Sequence, residues 1–302
     1  MTTANSPHPE GRPGSVRETP AFFVAGPFAE AFARLGLTSL DAVFAFDSGR
    51  DLVKLNIGRF RRRVQFEATP AGSRTPVKIF LKRYDRPPLL KQIRNWLCHG
   101  GRKSFASAER EAIDDLVAAG VGVPRVVACG EEWGLLFERR SFLMTEEIRD
   151  SQSLERRLPP CFADPATPRV LQARRDYIHR LAGFIQRFHA TGRRHRDLYL
   201  SHIFCSDAGE FCLIDLARAS RPFLQRRFQV KDLAQLHYSS PARHFSRTDR
   251  MRFYLAYADH PELLPDDKTL IRAILRKTAS MMRHNIKHGA VPPFLDRTEG
   301  GR

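Results

Sequence analysis

The chain has 302 residues, of which 42% are hydrophobic and 10% aromatic, and this excludes a wholly disordered protein or a single small module. Its formal net charge of +17 at pH 7 comes from 50 Lys and Arg against 33 Asp and Glu. Such an excess predicts an anionic partner or surface, such as nucleic acid, a membrane face or a phosphorylated substrate, with a merely solvated basic surface as the alternative.

The start of the chain and its cysteines indicate a reducing compartment. Residues 1–20 are rich in Pro, Ser, Thr and Gly, lack the apolar core of a secretory signal, and are predicted to be a disordered tail. The apolar stretch at 21–26 is far too short to cross a bilayer. The five cysteines form no C-x-x-C pair and are expected to be reduced thiols. We therefore expect a cytoplasmic protein whose membrane contact is at most peripheral.

The first part of the chain predicts a small α+β lobe over residues 21–148. An apolar pattern at 27–46 favours one or two short amphipathic helices, broken at Gly36, as an N-terminal extension. The elements predicted after it are strands at 52–55, 63–66 and 77–82, a helix at 106–119, and strands at 125–128, 135–137 and 141–145. Turn residues at 56–59 and 69–73 make an antiparallel meander of the first three strands.

The second part, residues 149–288, is predicted to be a mostly helical lobe, followed by a flexible tail at 289–302. Its predicted elements are a proline-rich loop at 156–169, a long amphipathic helix at 171–190, hairpin strands at 202–205 and 211–214, and helices to about 288. The fold class is therefore α+β with two lobes.

A predicted hairpin separates two aspartates, and it would bring their carboxylates into the same cleft. Asp197 lies in a His-Arg-Asp loop after the long helix, and Asp215 ends the second hairpin strand. Phosphoryl transfer requires a carboxylate at the acceptor hydroxyl, a second acid for Mg²⁺ and a cation on the nucleotide. The triplet alone would be weak, but the triplet, the hairpin and the second aspartate together are typical of the catalytic and metal loops of protein kinases.

Two lysines of one predicted strand are candidates for the cation. Lys78 and Lys82 are four residues apart and so point to the same face, which leaves the choice between them open. On the following helix, Glu109 lies on the apolar face. A buried glutamate is costly unless it is paired, so we expect an ion pair between Glu109 and one of these lysines.

Five runs of the sequence together resemble the lipopolysaccharide kinase (Kdo/WaaP) family over residues from about 39 to 288. They are Phe80-Leu81-Lys82-Arg83-Tyr84, Ser141-Phe142-Leu143-Met144-Thr145-Glu146-Glu147, His195-Arg196-Asp197-Leu198-Tyr199-Leu200-Ser201-His202-Ile203-Phe204, Leu213-Ile214-Asp215-Leu216 and Lys231-Asp232-Leu233-Ala234-Gln235-Leu236. The resemblance implies a bilobal, protein-kinase-like fold and transfer of phosphate from ATP, with Mg²⁺, to a heptose or Kdo of the lipopolysaccharide inner core.

The resemblance also implies the roles of individual residues. Lys82 would be the nucleotide lysine and Glu109 its helix partner. Asp197 would be the catalytic base and Asp215 the magnesium ligand. Asp232 would be a buried structural acid that braces the catalytic loop.

The resemblance also implies a hinge at 145–148, with backbone groups of Glu146 and Ile148 as adenine contacts.

Two implied sites depart from the wider kinase pattern. His202 stands where protein kinases have a metal-binding Asn, and it is either a second metal ligand or a simple hairpin residue. The candidate phosphate loop at 56–59 has one glycine, so phosphate contacts there would come from backbone groups or an arginine.

Basic residues cluster around both aspartates in the sequence. They are Arg193, Arg194, Arg196, Arg218, Arg221, Arg226, Arg227 and Lys231. Arginine suits bidentate capture of carboxylates and phosphates, which crowd the lipopolysaccharide inner core. We expect this cluster at the mouth of the cleft, docking the anionic acceptor and the inner-membrane face that carries it.

Two other functions remain compatible with the sequence. The first is a kinase of the same fold with another acceptor, such as an aminoglycoside-type or RIO-type kinase, although those have Asn at the position of His202. The second is a non-catalytic basic binding or scaffolding protein. RNA-binding aromatic signatures are missing, so no nucleic-acid partner is expected.

Overall fold

The computed structural model describes residues 22–52, 60–161, 167–240 and 245–289. The larger sheet contains β1 (Phe22–Val24), β2 (Arg50–Asp51), β3 (Arg61–Ala68), β4 (Val77–Asp85), β5 (Val126–Trp133) and β6 (Glu138–Glu146). The smaller sheet contains β7 (Ser151–Ser153), β8 (Ile203–Ser206) and β9 (Phe211–Leu213). The helices are α1 (Ala29–Arg34), α2 (Leu40–Ala45), α3 (Leu89–His99), α4 (Phe105–Ala118), α5 (Leu154–Cys161), α6 (Pro168–Ala190), α7 (Gln225–Ser239), α8 (Arg247–Ala258) and α9 (Pro265–Lys287). The predicted α+β class is confirmed.

The larger sheet is antiparallel, with strand order β1-β5-β6-β4-β3-β2. Along β4, Ile79 and Leu81 are buried on one face, where they pack with Phe28 and Phe32 of the N-terminal segment. Period-two alternation sends Lys82 to the opposite face. The N-terminal helices α1 and α2, predicted at 27–46, therefore cover one side of the sheet and leave the other side for the cleft.

Helix α4 packs against the cleft side of the sheet. Ser104 caps its first turn, with its hydroxyl accepting from the backbone N–H of Ser107. Ala112, Ile113 and Leu116 are buried on the face that meets the sheet. The predicted helix at 106–119 is confirmed and places Glu109 toward β4.

Helices α6 to α9 share one hydrophobic cluster with the hairpin of β8 and β9. Helix α6 buries its apolar face in a second core, and Thr167 caps its first turn. Helix α8 packs against α6, and α9 packs against α7. The predicted hairpin is confirmed, with β7 added along β8. None of the helices described in the structure is both long and apolar enough to cross a bilayer.

Several predicted elements are wrong or missing. The strand predicted at 135–137 is the exposed turn between β5 and β6, closed by the Gly134 N–H on the Phe137 carbonyl. Much of the loop predicted at 156–169 is helical, because burial of Leu154 and Leu158 supports α5 and proline is tolerated at the first position of α6. No element is predicted where β1 and α3 lie. The phosphate loop predicted at 56–59 lies outside the described residues.

Candidate active site

One buried ion pair joins the sheet to helix α4. Lys82 Nζ contacts Glu109 Oε1, and the glutamate side chain is only 2% exposed. The hydroxyl of Tyr84 lies 3.5 Å from the other carboxylate oxygen of Glu109. Lys78 instead pairs with Glu147 at 3.0 Å, and its side chain is 44% exposed. The structure thus pairs Lys82, and not Lys78, with the helix carboxylate.

Asp215 lies directly after β9, where it meets three cations. Its backbone is left-handed, with φ of 58°, and its carboxylate lies 3.6 Å from Lys82 Nζ. Arg63 Nη2 donates to both carboxylate oxygens at 2.9 Å, and Arg61 Nη2 donates to one at 3.3 Å. Arg61 and Arg63 alternate along β3 and therefore share its cleft face. Sequence reasoning missed both arginines.

These cations determine the charge state of Asp215. Burial alone would raise the pKa of the Asp215 carboxyl, but Lys82, Arg63 and Arg61 together hold that pKa well below its usual range. Within the described residues, the Nε atoms of Arg61 and Arg63 are buried and have no hydrogen-bond partner. The site therefore places an ionised carboxylate beside two arginines whose Nε–H groups make no hydrogen bond within the described residues.

A buried aspartate stabilises the His-Arg-Asp loop through hydrogen bonds to its backbone. Asp232, which is fully buried, accepts hydrogen bonds from the backbone N–H groups of His195 and Arg196, each at 2.7 Å. Gln235 accepts from the N–H of Leu198 at 3.1 Å. Arg196 has φ of 69°, an uncommon conformation for a side chain with a Cβ, and these contacts fix it.

The loop that carries Asp197 is joined to the strand that leads to Asp215. His195 Nε2 lies 3.0 Å from the carbonyl oxygen of Ile214, and the N–H of Ile214 donates to the carbonyl of His202 at 3.0 Å. Arg218, three residues beyond Asp215, binds the Asp197 carboxylate at 3.0 Å. Both predicted acids therefore lie on adjoining segments, linked by the arginine that follows one of them.

His202 is oriented by the backbone of the same loop. Its Nδ1 lies 2.8 Å from the carbonyl oxygen of Asp197. Because a carbonyl can only accept, Nδ1 carries a proton, and in the neutral imidazole Nε2 presents its lone pair. The geometry leaves His202 able to ligate a metal or to accept a hydrogen bond.

The donor set fits a magnesium ion that is shared with a nucleotide. Among the residues that the structure describes, no three His, Cys, Asp or Glu side chains gather at one point. Mg²⁺ in phosphotransferases is commonly held by one or two carboxylates together with substrate phosphates, and does not need an all-protein cage. The Asp215 carboxylate, with His202 nearby, is compatible with such a site.

The predicted hinge follows β6 without interruption. The N–H of Glu146 donates to the carbonyl of Arg125, and that of Glu147 donates to the carbonyl of Lys78, both at 2.9 Å. The Glu146 carboxylate points to Arg149 at 3.5 Å. Ile148 comes next, so the chain leaves the sheet at the position where an adenine contact is expected.

The expected basic cluster divides into three groups by exposure. Arg218, Arg221, Arg226 and Arg227 are exposed. The expectation that Arg193 and Arg194 line the mouth of the cleft is wrong, because both are buried. Arg193 binds Asp115 at 2.6 Å, and Arg194 donates to the carbonyl oxygens of His189 and Arg193. Arg196 and Lys231 are partly buried beside the catalytic loop, where Lys231 donates to the Arg196 carbonyl.

A family model and several known proteins match the sequence of this chain. The model of the lipopolysaccharide kinase (Kdo/WaaP) family matches residues 58–257. The lipopolysaccharide core heptose(I) kinase WaaP of Escherichia coli is 31% identical over 240 residues, which are 75% of this chain and 86% of that protein. The enzyme of the same description from Pseudomonas aeruginosa is 30% identical over 194 residues, 61% of this chain and 71% of that protein.

A solved structure shares the fold. It is described as WaaP in complex with acyl carrier protein, and it superposes with a TM-score of 0.64 at 26% identity. The match covers 86% of this chain and 98% of the solved chain. The likeness thus extends over both the sheet and the helical part.

Proposed function

The chain belongs to the lipopolysaccharide kinase (Kdo/WaaP) family, and we propose that it transfers the γ-phosphoryl group of ATP to a heptose of the lipopolysaccharide core. Its class is that of a phosphotransferase acting on a sugar hydroxyl. The observation that carries the proposal is the Asp215 carboxylate, facing Lys82 and Arg63 and joined through Ile214 to the Asp197 loop. The heptose, and not Kdo, is proposed because the curated relatives are named heptose(I) kinases.

The nucleotide phosphates would lie against the cations of the cleft. Lys82 is fixed by Glu109, as a lysine that binds phosphates must be. Arg61 and Arg63 add two guanidinium groups whose Nε atoms have no partner among the described residues. Guanidinium groups bind phosphate bidentately, so they compensate for a phosphate loop with a single glycine.

Asp215, with His202 as a second candidate, would hold Mg²⁺ between the chain and the phosphates. The ion would neutralise the charge that develops on the transferred group. Asp215 is suited to this because the surrounding cations keep it ionised. At the hinge, backbone groups of Glu146 and Ile148 would bind the adenine.

Asp197 would orient the sugar hydroxyl and accept its proton. Its carboxylate is about a quarter exposed and is reached from solvent. Arg218 binds this carboxylate at 3.0 Å, and an acceptor phosphate or carboxylate would compete for that arginine. Asp232 and Gln235 act through the loop, by fixing the backbone on either side of Asp197.

Acceptor choice is tested with defined core oligosaccharides. We expect phosphate on a core that contains heptose and none on a core that ends at Kdo, with the position read by tandem mass spectrometry. Phosphorylation of the core that ends at Kdo would show that Kdo is an acceptor and would contradict the choice of heptose. Labelling of an aminoglycoside, with neither core labelled, would support the rival acceptor class instead.

A partner is proposed from the helical part. Helices α6 to α9 line much of a partly open apolar cavity of about 770 Å³, whose wall includes Leu181, Leu233, Leu236, Phe253 and Ile274. The related structure was solved with acyl carrier protein. We propose that this chain also binds an acylated carrier protein, with its acyl chain in the cavity. The melting temperature of this protein should rise when acylated carrier protein is added and not when the unacylated carrier is added. Equal shifts would contradict binding of the acyl chain in the cavity.

A further inference from the structure

Helix α3 packs against the protein through polar residues, and its leucines are exposed to solvent. Gln92 Nε2 donates to the carbonyl oxygen of Glu138 at 3.1 Å, and Gln92 Oε1 accepts from the Glu138 N–H at 2.7 Å. Gln92 and Asn95 are buried, whereas Leu90 and Leu97 are 82% and 81% exposed. An amphipathic helix on a globular protein normally has the opposite orientation. The exposed leucines therefore need an explanation outside the chain's own core.

The outward side chains of α3 form one continuous stripe. Its members are Leu89, Leu90, Ile93 and Leu97, all exposed. At 3.6 residues per turn, they fall within an arc of about 100°. The turn between β5 and β6 adds Leu135, because Trp96 of α3 stacks on Phe137 at 5.4 Å. An exposed apolar patch of this kind is typical of an interaction surface.

The charged side chains of α3 and of the segments that flank it in sequence are all basic. No Asp or Glu occurs between Asp85 and Glu109, whereas the interval contains Arg86, Lys91, Arg94, Arg102 and Lys103. A second copy of this chain would bring like charges together at such an interface. A helix with an apolar stripe and Lys or Arg beside it matches an anionic bilayer surface.

The helix also lies beside the catalytic loop. Arg196, the residue before Asp197, donates to Cys98 Sγ of α3 at 3.5 Å. On its other side, the Arg196 guanidinium lies 5.2 Å from the ring of Phe228 in α7. Just before α7, Phe223 is 99% exposed. Two elements with exposed apolar side chains therefore flank the loop that would meet the acceptor.

We propose that α3, with Leu135 and the Phe223 segment, docks the enzyme on an anionic phospholipid bilayer and so presents the catalytic loop to an acceptor anchored in that membrane. The inference rests on the proposed function for the nature of the acceptor. The leucines enter the interface between headgroups and acyl chains, and Lys91 and Arg94 contact lipid phosphates. The α3 helix then explains how a chain whose described helices do not span a bilayer reaches a lipid substrate.

The test is co-sedimentation with vesicles in the absence of nucleotide and acceptor. The full-length protein should bind vesicles of phosphatidylethanolamine and phosphatidylglycerol and bind phosphatidylcholine vesicles weakly. Leu90→Glu/Leu97→Glu should lower the partition coefficient about tenfold or more, because it removes apolar contact and adds negative charge. The matched control Val117→Glu/Ile286→Glu adds the same two carboxylates at exposed positions of α4 and α9 and should bind like the wild type.

Activity assays separate this inference from the proposed function. With a deacylated, soluble core acceptor the Leu90→Glu/Leu97→Glu variant should retain the wild-type kcat, and with vesicle-embedded lipopolysaccharide it should lose most activity. Wild-type protein that fails to bind anionic vesicles overturns the docking proposal, whatever its kinase activity. So does a variant that changes oligomeric state while its vesicle binding is unchanged. Vesicle binding without phosphorylation of any core acceptor would leave docking standing and refute the proposed function.

Discussion

Arg63 donates hydrogen bonds from a single nitrogen, Nη2, to both carboxylate oxygens of Asp215, each at 2.9 Å. A carboxylate that ligates Mg²⁺ must release at least one of these contacts. The released guanidinium would then be available to the phosphates that arrive with the metal. Under the proposed function, Arg63 would therefore couple magnesium binding at Asp215 to nucleotide binding.

Replacing Arg63 by Ala should weaken ATP binding about tenfold to a hundredfold, because one charge-assisted interaction with phosphate is lost. The same variant should bind Mg²⁺ without nucleotide no more weakly than the wild type, since the competing cation is gone. Isothermal titration calorimetry measures both. Arg62→Ala is the control, because Arg62 pairs with Asp51 on the other face of β3. Unchanged ATP affinity in Arg63→Ala would show that the guanidinium does not meet the phosphates.

The Lys82–Glu109 pair should be strongly coupled in stability. Lys82→Met leaves Glu109 buried without its cation, which should cost about 3 kcal/mol, and Lys82→Met/Glu109→Leu should recover much of that loss. Urea denaturation of the wild type, Lys82→Met, Glu109→Leu and the double variant measures the coupling. The exposed Lys78–Glu147 pair is the matched control cycle and should couple by less than about 1 kcal/mol. Similar couplings in both cycles would contradict the assignment of Lys82 as the fixed lysine.

Glu138 should make folding stability depend on pH. Burial raises the pKa of Glu138 to about 7, despite hydrogen bonds from Ser141 and from the N–H of Phe105. A raised folded-state pKa means that stability is highest below the unfolded value, near pH 4.5, and falls until about pH 7. The loss should be about 3 kcal/mol. Glu138→Gln should flatten this fall in denaturation curves at pH 5 and 8, whereas the exposed Glu67→Gln should keep it.

The exposed arginines at the start of α7 should act on the acceptor alone. Arg226→Ala/Arg227→Ala should raise the acceptor KM several-fold, because charge-assisted contacts to acceptor phosphates are lost, and leave the ATP KM unchanged. Steady-state kinetics with both substrates varied gives the two constants. Arg276→Ala/Lys277→Ala removes two exposed charges of α9 and serves as the control. Equal changes in both KM values would argue against acceptor docking at α7.

The sequence predicts much of the fold because the face that its apolar periodicity marks is, in most elements, the face that is buried. Glu109 lies on the apolar face of its helix, so its pairing with a strand lysine follows from the cost of an unpaired buried charge. The hairpin of β8 and β9 has strong turn residues and is predicted nearly to the residue. In these two elements the apolar pattern of the sequence places the side chains correctly.

The remaining features depend on contacts that no local pattern encodes. Arg61 and Arg63 lie in a run of three arginines, and alternation with the buried Val64 and Phe66 puts them on the face away from that core, but only the pairing of β3 with β4 brings Arg63 beside Lys82. The apolar stripe of α3 is periodic in the sequence, but that period alone would predict a stripe facing the core, and only the structure shows that it faces solvent. Arg193 was expected at the surface, yet Asp115, distant in sequence, neutralises it in the interior. Each of these depends on tertiary pairing.

The most direct test measures label transfer from γ-labelled ATP, with Mg²⁺, to dephosphorylated core lipopolysaccharide. Asp197→Asn keeps the shape of the loop but removes the group that would accept the hydroxyl proton, so kcat should fall by about 10² to 10⁴ while ATP affinity stays within a few-fold. Rapid transfer by the wild type and its loss in this variant is the predicted result. Equal transfer by both proteins, or wild type that binds ATP and labels no core acceptor, would contradict the account.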